Sequence, residues 1–500
     1  MKPIIEITDG IARHPDWRMA EPVNMVIMPG EQIAICGDNA SGKNRLVEIM
    51  TGHYPLLRNE VRYGFDNTGT EAGTPAQKRL ISEQMRFISF RDSYGEQDGT
   101  YYYQQRWNQH DIDESTPTAG TLLANVPEVW SGLREKLYDM FSIHSILDKY
   151  IISLSSGELR KFQLTRTLLS APRVLILDNP FIGLDSTTRE LLKGLLKRLT
   201  CETEITVILL LSRYDDIPDF ITHVIPVEDL VVKAKQTKGE FQQNSETQKA
   251  ATLPQHITEW ILNLQHKDIT AIPFYPQQGG EILHMQDVSI QYWNHTILKN
   301  INWTVREGDR WALQGENGAG KSTLLSLVCA DNPQSYACNI SLFGHRRGSG
   351  ESIWQIKRHI GYVSPEMHRA YLRDLPAIDI VASGLSDSVG LYKRPRPEEK
   401  DICRQWMEVF GIGHLQDKTF LKLSSGEQRL CLLARAFVKD PELLILDEPL
   451  HGLDTQNRER VREVIRLFCQ RKHKTLIMVT HYQEELPNCI TNHLTLKKNQ

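Results

Sequence analysis

The chain has 500 residues, 40% of them hydrophobic and 24% charged, a composition typical of a globular protein with two or three domains. A formal net charge of -4 argues against a strongly electrostatic nucleic-acid binder, although a local basic patch is compatible with it. The eight scattered cysteines form no CxxC pair, so neither a disulfide framework nor a zinc site is predicted. Without an evident signal peptide or an apolar run of about 20 residues, we expect a cytoplasmic protein in a reducing compartment.

One long internal repeat organises the sequence, because several short motifs occur twice in the same order and at nearly constant spacing. The repeat predicts a first domain at residues 1–232 and a second at 279–500, joined by a linker at 233–278. Residues Lys233 to Gln255 of this linker are polar and are expected to be solvated. Residues Ile257 to Leu264 have apolar residues at near-helical spacing and are expected to dock on one of the domains.

The first phosphate-binding loop is predicted in the sequence GDNASGKN, which begins at Gly37. Glycines let such a loop point successive N–H groups into one concavity at a helix N-terminus, where the helix dipole favours an anion. Gly37, Asn39, Gly42 and Lys43 retain this cradle for phosphate groups. Asn44 replaces the Ser or Thr that would offer a hydroxyl to Mg²⁺, so we expect phosphate binding here with poorly placed magnesium.

The next repeated element is the turn LSSGE, which precedes a predicted helix in each copy. Serine and glycine at a helix N-terminus provide N–H and hydroxyl donors, and therefore a second anion-binding surface. Taken alone, such a turn is most often only a helix cap. The candidate residues are Ser155, Ser156, Gly157 and Glu158 in the first copy and Ser424, Ser425, Gly426 and Glu427 in the second.

The first copy differs from the second at two positions that matter for hydrolysis of a bound nucleotide, where Asn179 and Arg213 replace a glutamate and a histidine. Asn179 follows the acidic residue Asp178, and an amide cannot accept a proton, so we expect hydrolysis slower by about 10²–10⁴-fold. Arg213 follows the next apolar run. It either contacts phosphate as a cation or pairs with Asp215 or Asp216 at the surface, and the sequence leaves both alternatives open.

The second phosphate-binding loop, GENGAGKS, lies between a predicted strand that ends at Gly315 and a predicted helix. We expect Lys321 to reach the β- and γ-phosphates and Ser322 to offer its hydroxyl to Mg²⁺. The predicted nucleotide-binding residues are Gly315, Asn317, Gly318, Gly320, Lys321, Ser322 and Thr323.

The second copy also carries the groups that the first copy lacks. The run LLILD, which ends at Asp447, is typical of a strand buried on both faces of a parallel sheet. Asp447 is predicted to hold the Mg²⁺ shell and Glu448 to polarise the attacking water. His481 follows another apolar strand; such a histidine alone is more often structural, but its place in the repeat favours a role in orienting that water.

Together these motifs resemble those of the ATP-binding cassette (ABC) family, over nearly the whole chain. The resemblance implies an α/β fold with two tandem ABC-type P-loop NTPase domains, each with a mainly parallel core sheet and a helical subdomain. It also implies a head-to-tail sandwich, with each ATP between one domain's P-loop and the other's LSSGE signature. The family's adenine-stacking position falls on His14 and Tyr292, and Tyr292 is the better stacker; the alternative for either is a plain surface ring.

The segment from Leu342 to Ser364 is similar to the ModF-type tandem cassette ATPases, also labelled photorepair or molybdate-transport-associated proteins. This implies the ATPase of a transport system for molybdate or another oxyanion, peripheral to the cytoplasmic membrane and bound to separate permease subunits. The family's Q-loop glutamine is absent, because its place falls on Phe90 and Pro365. That departure favours the alternative, a soluble non-transport ABC ATPase acting on a macromolecule, although the acidity argues against nucleic acid.

Overall fold

The chain divides into two compact units, a first unit at Met1–Lys249 and a second at Ala250–Gln500. The division falls inside the segment 233–278 that the sequence predicts as a linker. The computed structural model describes residues 2–64, 80–89, 117–127, 132–151, 154, 156–181, 184, 186–245, 253–264, 280–292, 295–315, 318–371, 374–388, 391, 393–480 and 482–497.

Short apolar runs form β3, β6 and β7, the central strands of the first unit, as expected for strands covered on both faces. The strands are β1 (Ile5–Gly10), β2 (Val23–Ile27), β3 (Ile33–Cys36), β4 (Arg62–Tyr63), β5 (Met85–Ser89), β6 (Val174–Asp178), β7 (Thr206–Leu211), β8 (His223–Glu228), β9 (Val231–Val232) and β10 (Gln236–Thr237).

The main sheet of the first unit has the order β10-β8-β3-β7-β6-β5, and β9 pairs with β8. Strands β8, β3, β7, β6 and β5 are parallel, so their carboxyl ends meet at one edge. A smaller antiparallel sheet has the order β2-β1-β4. The main sheet has an apolar core on each face, since Ile33 and Ile35 of β3 enter one cluster and Ala34 and Cys36 enter the other.

The helices of the first unit cover both faces of this sheet. Among the described residues of this unit, the helices are α1 (Lys43–Met50), α2 (Ile81–Gln84), α3 (Ala119–Ala124), α4 (Leu133–Phe141), α5 (Ser156–Leu168), α6 (Ser186–Glu202) and α7 (Lys238–Ser245). Helix α7 and strand β10 lie in the predicted linker, and Phe241 of α7 packs against Tyr214 with ring centroids 5.3 Å apart.

The second unit repeats the arrangement of a parallel main sheet and a smaller antiparallel sheet. Its main sheet has the order β16-β17-β18-β13-β19, and its antiparallel sheet has the order β12-β11-β14-β15. The strands are β11 (Glu281–Tyr292), β12 (His295–Arg306), β13 (Arg310–Gly315), β14 (Asn339–Leu342), β15 (His345–Arg346), β16 (Ile360–Val363), β17 (Leu443–Asp447), β18 (Thr475–Val479) and β19 (Asn492–Leu496).

The first helix of the second unit also comes from the predicted linker: Ile257 and Ile261 are buried in the core, and Trp260 contacts Trp406 at 5.3 Å between ring centroids. Among the described residues, no helix combines the length and apolar character of a membrane span. The helices are α8 (Gln255–Leu262), α9 (Lys321–Val328), α10 (Ile353–Arg358), α11 (Pro365–Ala370), α12 (Ala377–Ala382), α13 (Pro397–Val409), α14 (Ser425–Phe437) and α15 (Thr455–Gln470).

Candidate nucleotide-binding sites

The glycine-rich loop of the second unit joins β13 to α9, as the sequence predicts. Gly320 precedes α9 with a φ of 91°, and a Cβ there would lie 2.8 Å from the Leu298 side chain, so only glycine fits. No side chain caps the N-terminus of α9. The first-turn N–H groups therefore remain suited to a phosphate, which the helix dipole also favours.

Lys321 begins α9 and is buried, and its Nζ donates to the carbonyl of Gly315 at 2.6 Å. The amine thus folds back over the loop, where a phosphate would lie. Ser322 is half-buried and Thr323 is buried beside it, whereas Gly318 is exposed on the loop. Asn317 lies outside the described residues. The donor set and the uncapped helix fit the phosphates of ATP.

The acidic pair of the second unit lies at the carboxyl end of β17. Asp447 pairs with Val479 of β18, which pairs in turn with Leu313 of β13, so the acid and the glycine-rich loop share one sheet edge. Glu448 has a φ of 52°, and its N–H donates to the carbonyl of Val479 at 2.9 Å. This left-handed turn redirects the chain immediately after the strand.

Glu448 is buried, with 8% of its surface exposed. Burial and the neighbouring carboxylates Asp447 and Glu485 raise the pKa of Glu448 well above its ordinary value, and the charge of Lys321 opposes that rise. A buried carboxyl with a raised pKa is the type of group that general-base catalysis uses.

Arg429 supports this turn, a role that none of the predicted motifs indicates. Its guanidinium is 2% exposed and donates through Nη2 to the carbonyls of Asp447, at 2.8 Å, and Glu448. Burial lowers the pKa of Arg429 to about 10. In the first unit Arg160 donates to the carbonyl of Pro180. The available signal was an arginine at the second position after LSSGE in both copies.

In the second unit, the LSSGE turn caps helix α14. Ser424 Oγ accepts from the N–H of Glu427 at 3.3 Å, and the Glu427 carboxylate accepts from the N–H of Ser424 at 2.7 Å. This reciprocal pair is a capping box, the structural alternative that the sequence left open. Ser425 is exposed and Gly426 is buried.

The corresponding turn of the first unit begins helix α5. A Cβ on Gly157 would lie 2.7 Å from the Thr188 methyl group, and Glu158 accepts from Lys149 Nζ at 2.7 Å. Ser155 and the Ser156 side chain lie outside what the structure describes.

The glycine-rich loop of the first unit joins β3 to α1 and holds its lysine in the same way. Lys43 Nζ donates to the carbonyls of Gly37, at 2.6 Å, and Asp38, at 2.7 Å. Gly42 precedes α1 with a φ of 106°, and no side chain caps that helix. Asn39 is half-buried, whereas Asn44 is exposed. This loop too has the backbone of a phosphate cradle.

Asn179 engages its neighbours differently from Glu448, although its φ of 47° gives it the same backbone turn. Its side-chain Nδ2 donates to Asp178 Oδ1 at 2.9 Å, and its Oδ1 accepts from the N–H of Ser212 at 3.2 Å. The amide therefore bridges the acid at the end of β6 and the residue after β7. A carboxylate could not make the first of these bonds.

Arg213 forms an ion pair with Asp216, with 3.4 Å between Nε and Oδ2. Arg189 binds the other oxygen of Asp216 at 3.1 Å. Of the two alternatives for Arg213, pairing with a nearby aspartate is the one that this geometry favours.

The two predicted adenine-stacking positions differ in what the structure describes. The ring of His14 lies 4.9 Å from Trp17, which stacks on Tyr54 at 4.3 Å between centroids and 7° between planes. His14 thus belongs to an aromatic row of the first unit. Tyr292 ends β11, and its side chain lies outside the described part of the chain, as does the whole of His481.

The position of the missing Q-loop glutamine is the start of helix α11. Ser364 caps this helix by accepting from the N–H of Met367 at 3.1 Å, and Pro365 is its first residue. One turn later, the ring Nε2 of His368 lies 2.8 Å from Oε1 of Gln428 in α14. Phe90, the equivalent position in the first copy, lies outside the described residues.

Each unit has a glycine-rich loop between a parallel strand and a helix, and an acidic residue at the carboxyl end of the next strand but one in the same sheet. These features define a tandem P-loop NTPase. The family model of the ABC transporter matches residues 20–182 and 298–451. The chain belongs to the ABC transporter family, and it is a tandem ABC ATPase that binds ATP. The resemblance and the fold class predicted from the sequence are thereby confirmed.

Two curated relatives match almost end to end. The chain is 34% identical to the ABC transporter ATP-binding protein ModF of Escherichia coli, over 98% of this chain and 96% of that protein. It is 29% identical to an uncharacterized ABC transporter ATP-binding protein of Schizosaccharomyces pombe, over 91% of this chain and 90% of that protein.

Two solved structures share the fold. One is the archaeal ribosome recycling factor aABCE1 in complex with the ribosomal stalk protein aP1, with a TM-score of 0.55, 18% identity, and coverage of 97% of this chain and 87% of that one. The other is RNase-L Inhibitor, with a TM-score of 0.53, 15% identity, and coverage of 99% and 88%. At these identities the likeness concerns the fold alone.

Proposed function

We propose that hydrolysis is centred on the second unit and that the first unit holds nucleotide with little turnover. The observation that carries this proposal is the contrast at one backbone position. Glu448 is a buried carboxyl with a raised pKa, whereas Asn179 is an amide that bonds to Asp178. A glutamate can accept a proton from water in its carboxylate form, whereas an amide cannot.

In the second unit, Lys321 and the N–H groups at the start of α9 bind the phosphates, Glu448 takes the proton of the attacking water, and His481 orients that water. Asp447 and Ser322 are the proposed ligands of Mg²⁺, and their hard oxygen donors suit that cation. When bound, Mg²⁺ supplies charge neutralisation at the phosphates.

We further propose that this ATPase serves a transport system, with separate permease subunits and molybdate or another oxyanion as cargo. The support is the relative of 34% identity, whose name is ABC transporter ATP-binding protein ModF. The proposal places the chain at the cytoplasmic face of a membrane through those subunits.

One structural observation favours a second candidate, a non-transport ATPase that acts on a macromolecule. The position of the Q-loop glutamine is occupied by Pro365 at the start of α11, and the next turn contacts α14 through His368 and Gln428. Pro365 therefore stands in place of the Q-loop glutamine. In transport ATPases of the family, the loop with that glutamine senses the permease.

Purification from native membranes separates the two candidates. The tagged chain carrying Glu448→Gln, which we expect to retain ATP, is compared with Lys321→Ala, which we expect to bind it weakly at the second site. A membrane-embedded permease enriched with the first variant supports transport. Enrichment of nucleic acid or of non-membrane proteins alone supports the second candidate and refutes the first.

A further inference from the structure

Cys469 and Cys489 of the second unit lie against each other, twenty residues apart in the chain. Cys469 is in the last turn of α15, and Cys489 is in the loop between β18 and β19. Both are free thiols, their side chains pack into the same apolar core, and each thiol perturbs the pKa of the other. Cys469 is buried, whereas Cys489 is half-buried and therefore reachable from solvent.

Main-chain contacts independent of the two thiols hold these segments together. The guanidinium of Arg310, the first residue of β13, donates to the carbonyl of Cys469. The carbonyl of Arg310 accepts from the N–H of Thr491 at 3.0 Å, two residues after Cys489. The same arginine thus fixes the end of α15 and the loop before β19.

The surroundings of the two thiols shift their pKa values in opposite directions, so the thiols differ in reactivity. The adjacent Cys469 thiol, together with the charge of Arg310, lowers the pKa of Cys489. The adjacent Cys489 thiol and burial raise the pKa of Cys469. Among the described cysteines, Cys489 differs from five others whose pKa burial raises: Cys36, Cys329, Cys338, Cys403 and Cys431. A half-buried thiol next to a cation is the reactive type.

We propose that Cys469 and Cys489 form a thiol–disulfide exchange site whose co-reactant is a small disulfide such as oxidised glutathione. The Cys489 thiolate attacks one sulfur of the disulfide, which forms a mixed disulfide and releases one glutathione thiolate. Cys469 then attacks Cys489 Sγ, its proton passes to solvent, and the second glutathione leaves as a thiolate. Two protein thiols lose two electrons, and one glutathione disulfide gains them.

The resulting bond would close a covalent loop round residues 470–488. This loop contains strand β18 and His481, the candidate water-orienting residue. The disulfide would therefore link the end of α15 to the loop before β19, which is the edge strand of the main sheet. The segment between the two cysteines runs through the second nucleotide-binding site.

Trypsin separates the two cysteines, so the bond can be mapped directly. Cleavage yields the peptides Leu467–Arg471 and Thr475–Lys497, each with one cysteine. The full-length native protein is incubated with oxidised glutathione, its remaining thiols are blocked with iodoacetamide, and the digest is analysed by mass spectrometry. We expect the two peptides to appear joined, and dithiothreitol to separate them. A mixture of ¹⁴N- and ¹⁵N-labelled protein should yield no mixed-isotope pair.

Variants distinguish the two roles. Cys469→Ser should stop the reaction with one glutathione on Thr475–Lys497, whereas Cys489→Ser should leave Cys469 unmodified. Cys201→Ser, which removes an exposed cysteine of the first unit, is the matched control and should not change the yield of joined peptides. The proposal is wrong if wild-type Cys489 stays reduced, stops at the glutathione adduct, or joins mainly to another molecule. None of these readouts depends on ATP turnover.

Discussion

Arg429 donates two hydrogen bonds to the main chain on either side of the candidate base, at the carbonyls of Asp447 and Glu448. The peptide there follows a strand and enters a left-handed turn at Glu448, which is strained for a residue with a Cβ. Arg429 lies on α14, the helix that follows LSSGE, so the signature helix and the acidic strand are joined behind the site.

This relationship predicts a graded loss of turnover when Arg429 is replaced. Arg429→Lys retains one donor and should lower kcat by about tenfold, a cost of about 1.4 kcal/mol in the barrier. Arg429→Met retains none and should lower kcat further, with KM for ATP little changed because Arg429 is placed behind the main chain. Steady-state ATPase assays with a thermal melt for each variant check this.

Arg160→Lys, the equivalent change in the first unit, is the matched control and should reduce turnover much less. An equal loss from both variants, or a loss confined to KM, would contradict a positioning role for Arg429.

Glu448→Gln should lower turnover by about 10²–10⁴-fold, because the amide is nearly isosteric and cannot accept the proton of water. Binding of a fluorescent ATP analogue should be retained, since the phosphate contacts come from the loop before α9. Asn179→Gln is the control at the same position of the first unit, and it should leave turnover close to wild type. Wild-type turnover in Glu448→Gln would remove Glu448 from the role of base.

The local parts of both sites could be predicted from the sequence, because each lies within one short segment. The loop from Gly315 to Ser322 and the apolar strand before Asp447 each contain their own turn and burial signals. The contacts of Arg429 and the pair of Cys469 and Cys489 could not be predicted. They depend on which helices, strands and loops pack together in the fold, and spacing in one sequence does not contain that information.

The predicted linker is a second case in which the sequence gives an incomplete prediction, here because its polar composition does not reveal the strand and the helix that it forms. Its polar composition suggested solvated chain, yet Gln236 and Thr237 pair with β8, and Phe241 of α7 is buried. A short strand at a sheet edge and a helix with one buried ring need few apolar residues, so composition alone gives little sign of them.

The two phosphate-binding lysines should differ in importance. Lys321→Ala removes the cation beside Glu448 and should abolish most turnover, whereas Lys43→Ala should leave much more residual hydrolysis. Both lysines donate to the first glycine of their loops, Gly315 and Gly37, at the same 2.6 Å, so the two substitutions are structurally matched. Initial rates of phosphate release measure the difference. Equal losses would refute the proposed asymmetry between the units.

Restoring a carboxylate to the first unit should not restore its hydrolysis. In Asn179→Glu the bond from Nδ2 to Asp178 is lost, and two carboxylates face each other where one amide now bridges. Asn44 still lacks a hydroxyl for Mg²⁺, and Arg213 remains paired with Asp216.

In a Lys321→Ala background, which silences the second unit, we expect the added Asn179→Glu to leave turnover at the background rate. The triple change Asn44→Ser, Asn179→Glu and Arg213→His should exceed that rate measurably, because it supplies the hydroxyl, the base and the histidine together. A large gain from Asn179→Glu alone would show that the missing base is the sole defect of the first site.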